Sequence, residues 1–225
     1  MKRILFVGVL LAFVFGCKGG PVVSVKDPGP AQIPEGSQLA ESSDKTCSLM
    51  VAPGWKRGGP YSSVPGSGLP DLGSLGSENP DMAAIAQNAA QEEAAYDAEE
   101  AADLEKKGIL IWVNDSSRPI PGEARTNYRL RRKDDGPMSL EDAVEDAKMD
   151  ILNEQVSYVE LPIGKAARME AMTTKIDGGQ LFQIVYVIVN GEHIYDLRFT
   201  TQNDPTSVKN IEKQVVESLR IKPAK

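Results

Sequence analysis

Every residue from Ile109 to Val113 is apolar, and so is nearly every residue from Leu181 to Val189. Short unbroken runs of this kind predict strands covered on both faces, so both belong inside a sheet, and Ile109 to Val113 is expected at its centre. Elsewhere the pattern alternates. Cys47, Leu49 and Val51 share one face of a strand that stops at the turn Pro53-Gly54-Trp55, with Trp55 plugging the edge of the core. Val156, Tyr158 and Leu161 mark a short strand, and Arg168 to Ile176 a longer one closed by Asp177-Gly178-Gly179. Asn190-Gly191 is a strong two-residue hairpin signal. It joins Leu181–Val189 to a strand on which His193, Tyr195, Leu197 and Phe199 share a face. The last three strands therefore form an antiparallel meander.

Two segments switch to helical spacing. Ser139-Leu140-Glu141-Asp142 reads as a capping box, followed by Leu140, Ala143, Val144, Ala147 and Ile151 on one face. Asp204-Pro205 supplies a cap and a first helical residue for a terminal helix lined by Val208, Ile211, Val215 and Leu219. Residues 81–107 are rich in Ala and acids and end at the stop signals Lys106-Lys107-Gly108, which predicts a third helix. Its large apolar residues, Met82, Ile85, Tyr96 and Leu104, make only a thin stripe. Its acids, among them Glu92, Glu93, Asp97, Glu99, Glu100 and Asp103, read as a solvated face. Before it, residues 57–80 are dominated by Gly, Ser and Pro and read as a flexible loop of unusual length. Strands and helices in this order give an α+β domain over residues 47–225.

The amino-terminal segment follows another logic. Lys2 and Arg3 precede a wholly apolar or Gly stretch from Ile4 to Phe15, the layout of a secretory signal peptide over residues 1–16. Twelve residues make about 18 Å of helix, too short for a hydrocarbon core of about 30 Å. Val14-Phe15-Gly16-Cys17 resembles the bacterial lipobox, which implies that Cys17 carries lipid and becomes the mature amino terminus. Several acyl chains on one residue would hold the protein on a membrane. Residues 17–46, with Pro21, Pro28, Pro30 and Pro34 among Gly, Ser and charges, read as a flexible tether. Lys18 stands where some lipoproteins retained at an inner membrane have Asp, so the expected address is the periplasmic side of an outer membrane.

Four stretches occur together in order: Leu49-Met50-Val51-Ala52-Pro53-Gly54-Trp55, the helix after Met138-Ser139-Leu140, Ile163-Gly164-Lys165-Ala166-Ala167-Arg168, and Val215-Val216-Glu217-Ser218-Leu219-Arg220-Ile221. This order resembles the PsbP-like family. The resemblance implies an α/β/α sandwich around a central, mainly antiparallel sheet. It also implies a noncatalytic binding or assembly role. Plant members bind metal through histidines; this chain has a single His, so that property does not transfer.

Charge and chemistry narrow the functions further. The formal charge is -7, and removal of Lys2 and Arg3 takes it to -9, which argues against nucleic acid as a partner. Beyond Cys17 the other cysteine is Cys47, which has no internal disulfide partner and reads as a small buried hydrophobe. No paired-cysteine or paired-histidine metal motif, phosphate loop or nucleophile elbow is present. Neither a metal nor a cofactor is expected. His193 reads as a packed or edge histidine rather than a catalytic one. The polar cluster that departs from the background is Arg125, Arg129, Arg131, Arg132 and Lys133, five cations within nine residues. It has the chemistry to dock lipid phosphates or an acidic partner. Alternatively it is a solvated strand and loop neutralised by Glu141, Asp142, Glu145 and Asp146 nearby.

The expected protein is thus an envelope lipoprotein, anchored to a membrane by its lipid, that binds an envelope protein and is not an enzyme. Two alternatives stay open. One is an envelope hydrolase using carboxylates or His193 in a cleft under residues 57–79. The other is a chaperone that shields apolar peptide on an exposed patch of several hundred Å².

Overall fold

The computed structural model describes residues 24–59, 99–116, 126–148, 154–174, 179–202 and 204–224. Among them ten strands form two sheets. The strands are β1 (Gln38–Glu41), β2 (Cys47–Val51), β3 (Trp55–Arg57), β4 (Ile109–Asp115), β5 (Asn127–Lys133), β6 (Gln155–Leu161), β7 (Gly164–Thr174), β8 (Gln180–Asn190), β9 (His193–Thr201) and β10 (Arg220–Ile221). The larger sheet runs β3-β4-β5-β9-β8-β7-β6 and the smaller β1-β2-β10, with every pairing antiparallel. Helix α1 covers residues 99–106, α2 is Leu140–Lys148 and α3 is Pro205–Ser218. The fold is α+β around a mainly antiparallel sheet, as the element pattern indicates.

Alternation along the strands divides the core in two. Tyr128, Leu130, Ile184, Ile188, Leu197 and Phe199 point to one face, where Val208 and Val215 of α3 and Leu49 and Met50 of β2 cover them. Ala167, Met169, Val185, Val187 and Ile194 point to the other, under Leu140, Ala143 and Val144 of α2. Both helices are capped as their sequences demand. Ser139 Oγ accepts from Asp142 N at 3.1 Å, and Asp204 Oδ1 accepts from Thr206 N at 3.0 Å ahead of Pro205. Ile151, read as part of the α2 face, lies outside the described residues, as do residues 60–98 of the loop and the Ala-rich segment.

Three readings need correction. The apolar run Ile109–Val113 is not central: β4 is second from the edge, flanked by the three-residue β3, and Leu110 and Trp112 are only half-buried. Unbroken hydrophobicity there reflects Trp112 lying beneath the Arg129 guanidinium, 5.4 Å from the ring centroid, rather than two full covering layers. The central positions belong to β9 and its neighbours, and β5 joins them although its outward face is basic. The strand expected from Arg168 already begins at Gly164, because Ala166 and Ala167 are small enough to be fully buried on opposite faces.

The third correction concerns the tether. From residue 24 onward the supposed free linker is part of the domain. Val25 and Ala40 are buried, Lys26 N donates to Ile163 O at 2.8 Å, and β1 adds to the small sheet. Isolated apolar residues among prolines carry no period, yet they dock when backbone partners await them. Cys17 and the expected signal peptide lie outside the described residues.

Candidate functional site

Register places a set of loops at one pole of the large sheet. β5 ends at Lys133 opposite Ile194, β4 starts at Ile109 opposite Arg131, and β8 ends at Asn190 opposite His193. The end of α1, the turn after β5, the β6–β7 turn and the β8–β9 turn therefore gather there. Gly108 turns α1 into β4 with φ +72, and a Cβ there would collide with the Arg132 carbonyl oxygen.

The basic cluster sits on β5, but the strand's two-residue period splits it. Arg129, Arg131 and Lys133 share the α2 side, Arg132 faces the small sheet, and Arg125 lies outside the described residues. Structural partners occupy most of the charge. Arg131 Nε donates to the Lys107 carbonyl at the end of α1 at 3.2 Å. Lys133 Nζ pairs with Asp146 of α2 at 2.8 Å, and Arg132 pairs with Asp44 at 2.8 Å and Asp134 at 3.3 Å. Of the acids expected to neutralise the cluster, Asp146 does so among the described residues, and Asp44 and Asp134 join it. Burial alone would raise the Asp44 pKa, but hydrogen bonds from Ser42, Thr46 and Arg132 outweigh it and hold the carboxyl well below the usual range.

A groove of about 810 Å³ opens beside this strand, lined by Leu110, Arg131, Lys133, Asp134 and Asp146 among others. Cations and carboxylates alternate around it, so it presents no single sign of charge. At its margin His193 Nδ1 lies 2.8 Å from Asp134 Oδ1, with the ring edge-on to Tyr195 at 6.5 Å. Among the described residues no hydroxyl or thiol is bonded to that ring. Cys47 is no candidate nucleophile either: burial pushes its thiol up to about 11.

Sequence reasoning missed three features. Arg168 of β7 donates from Nε to Glu212 of α3 at 2.6 Å and from Nη2 to Glu170 at 3.0 Å, while Tyr186 Oη donates to Glu212 at 2.7 Å. This network lies beside a cavity of about 580 Å³ near Pro162 and Val216, and it pins α3 to the sheet. The Glu212 hydrogen bond is the main cause that raises the Arg168 pKa above its ordinary value. Asp196 and Arg198, two residues apart on β9, form a buried pair at 2.8 Å beneath the α2 side. The signal for it was legible as two charges inside an otherwise apolar strand. Finally, Asn190 is more than a hairpin residue. The turn itself is Gly191-Glu192, with Gly191 at φ +65, and the Asn190 side chain is buried among both ends of the domain.

Exposed large apolar side chains among the described residues are Leu39, Tyr158 and Met172. Leu39 belongs to the small sheet, and alternation sends Tyr158 and Met172 to opposite faces of the large one. They form no continuous patch of the kind a peptide-shielding chaperone needs.

No protein-family profile matches the chain, and no curated protein matches it. Two solved structures are similar. A crystal structure from Bacteroides thetaiotaomicron VPI-5482 is 13% identical with a TM-score of 0.45, covering 82% of this chain and 48% of its own. This chain thus spans about half the length of that protein. The solution structure of cyanobacterial PsbP (CyanoP) from Synechocystis sp. PCC 6803 is 12% identical with a TM-score of 0.32, covering 90% of this chain and 99% of its own. The second bears the name of the family the sequence resembles.

Proposed function

We propose that the chain is a lipid-anchored protein of a bacterial envelope whose domain binds another envelope component without turning over a substrate. The lipobox-like Val14-Phe15-Gly16-Cys17 supports the anchor, and Lys18 after it favours the periplasmic side of an outer membrane. The observation that carries the binding role is the contrast between the two edges of the large sheet. One edge, β3, is three residues long and carries Lys56 and Arg57, a blunted edge. The other, β6, runs seven residues with Glu160 as its single charge and Tyr158 exposed at 58%. Among the described residues no strand pairs with its outer side, where an extended partner segment would gain main-chain hydrogen bonds and a tyrosine contact. Arg131 and Lys133 of the basic cluster line a separate groove, with β9, β8 and β7 between it and β6, and would meet an acidic group there.

A photo-crosslinking side chain at Tyr158 of the full-length protein, activated in native envelopes and followed by mass spectrometry, tests this reading. One dominant adduct that disappears in the Cys17→Ser protein is expected. Adducts arising only from other faces would remove β6 as the binding edge. The His193–Asp134 contact favours the second reading, a hydrolase. An envelope activity that persists in His193→Ala would end a histidine mechanism.

A further inference from the structure

The first described residues are held at the same pole as the last ones, through a single side chain. Asn190 Oδ1 accepts from Ser24 Oγ at 3.3 Å, from Val25 N at 3.3 Å and from Ala224 N at 3.1 Å, while Asn190 Nδ2 donates to Lys222 O at 2.9 Å. Val25 is 6% exposed. The chain beyond is held as well: Lys26 N donates to Ile163 O, and Arg220 donates from Nε to Gly29 O at 2.6 Å and from Nη2 to Pro30 O at 3.1 Å. Residues 24–30 thus form a strap across the pole that bears the β8–β9 turn.

We propose that this strap sets the domain pole-on to the bilayer, with the β8–β9 turn toward the lipid and the opposite pole outward. The inference rests on Cys17 carrying the lipid. Seven peptide units separate Cys17 from Ser24, and fully extended they span at most about 25 Å. A free linker up to Cys47 would span about 100 Å at full extension and leave orientation undetermined. The bilayer is the surface this pole meets because the chain's exit at Ser24 lies there and the leash is shorter than the domain. Eleven-residue β8 alone is about 35 Å long, so its Gln180 end stands farther from the membrane than any free rotation about the leash would average. The groove beside Arg131 and Lys133 then opens toward the headgroups. Strand β6 rises away from them, presenting its edge sideways.

Two single cysteines distinguish the ends: Glu192→Cys in the turn and Gln180→Cys at the far end of β8, both exposed positions. Buried Cys47, with its raised pKa, does not compete for a maleimide fluorophore at neutral pH. The full-length lipidated proteins are reconstituted in vesicles of phosphatidylethanolamine and phosphatidylglycerol containing an acceptor lipid, and energy transfer is read from each site. Transfer several-fold greater from position 192 than from position 180 is expected. Val25→Asp, which frees the strap without touching the hairpin, should bring the two values together. The mass of the amino-terminal peptide reports acylation separately. An acylated protein with equal transfer from both sites overturns the orientation alone. A chain whose Cys17 is not acylated overturns the anchor and the orientation with it.

Discussion

The two faces of the large sheet are buried by different means. On the side of α3, aromatic rings interlock: Tyr128 lies 5.1 Å from Trp55 and 5.6 Å from Phe199, and Phe199 meets Tyr186 edge-on at 6.4 Å. Tyr128, buried there, is neutral and paired, its Oη donating to Met50 O at 2.8 Å and accepting from Ala52 N at 3.1 Å. On the side of α2 the interface is aliphatic, built from Ala, Val, Leu, Ile and Met. Its buried polar residues include an ion pair, Asp196 with Arg198, and the neutral Gln183. The difference teaches that interlocking shape holds the first face, whereas the second adds a buried charge pair to aliphatic packing.

Substitutions can break this contrast. Phe199→Ala should cost about 4 kcal/mol, since it removes the ring that both tyrosines pack against; chemical denaturation measures it. Asp196→Ala strands the Arg198 guanidinium in the interior and should cost about 3 kcal/mol. A neutral outcome in Asp196→Ala would mean that water reaches the second face. Tyr128→Phe keeps the ring but leaves Met50 O and Ala52 N without their partner, and should cost about 2 kcal/mol.

The smallest effect sits at the rim of the first face. Because the folded Asp44 pKa is depressed, its contribution is present above the unfolded carboxyl value of about 4 and is lost as the pH falls below it. Asp44→Asn should therefore lose less stability than the native protein between pH about 4 and about 2, and an identical acid profile would remove Asp44 from the account.

How much of this was legible depended on the range of the interaction. The β8–β9 hairpin, the Ser139 cap and the Asp204-Pro205 start of α3 are local, and the sequence reading located all three. The position of β4 in the sheet was misjudged because an apolar run reports hydrophobicity and not neighbours; the cover over Trp112 is the side chain of Arg129 from another strand. Strand β5 was legible only as one alternative, a solvated strand and loop, because four of its seven residues are basic or polar on the outward side, although Tyr128 and Leu130 alternate with them. The same alternation divides the basic cluster, so a count of five cations overstated the charge at any one surface. Residues 24–46 look like a linker by composition. Residues 24–30 are docked by hydrogen bonds to residues more than a hundred positions away, which no periodicity encodes, whereas β1 pairs with the adjacent β2.

Asn190 also fixes an order of events during synthesis. Ser24 leaves the ribosome 166 residues before the amide it binds, and Val25 165 residues before it. The Ala224 bond to that amide needs a further 34 residues. Closing so long a loop is slow compared with forming the local hairpin that carries Asn190. The hairpin must therefore exist first, and the two ends of the chain close on it last. Until translation is nearly complete, Ser24 and Val25 have no Asn190 amide to close on.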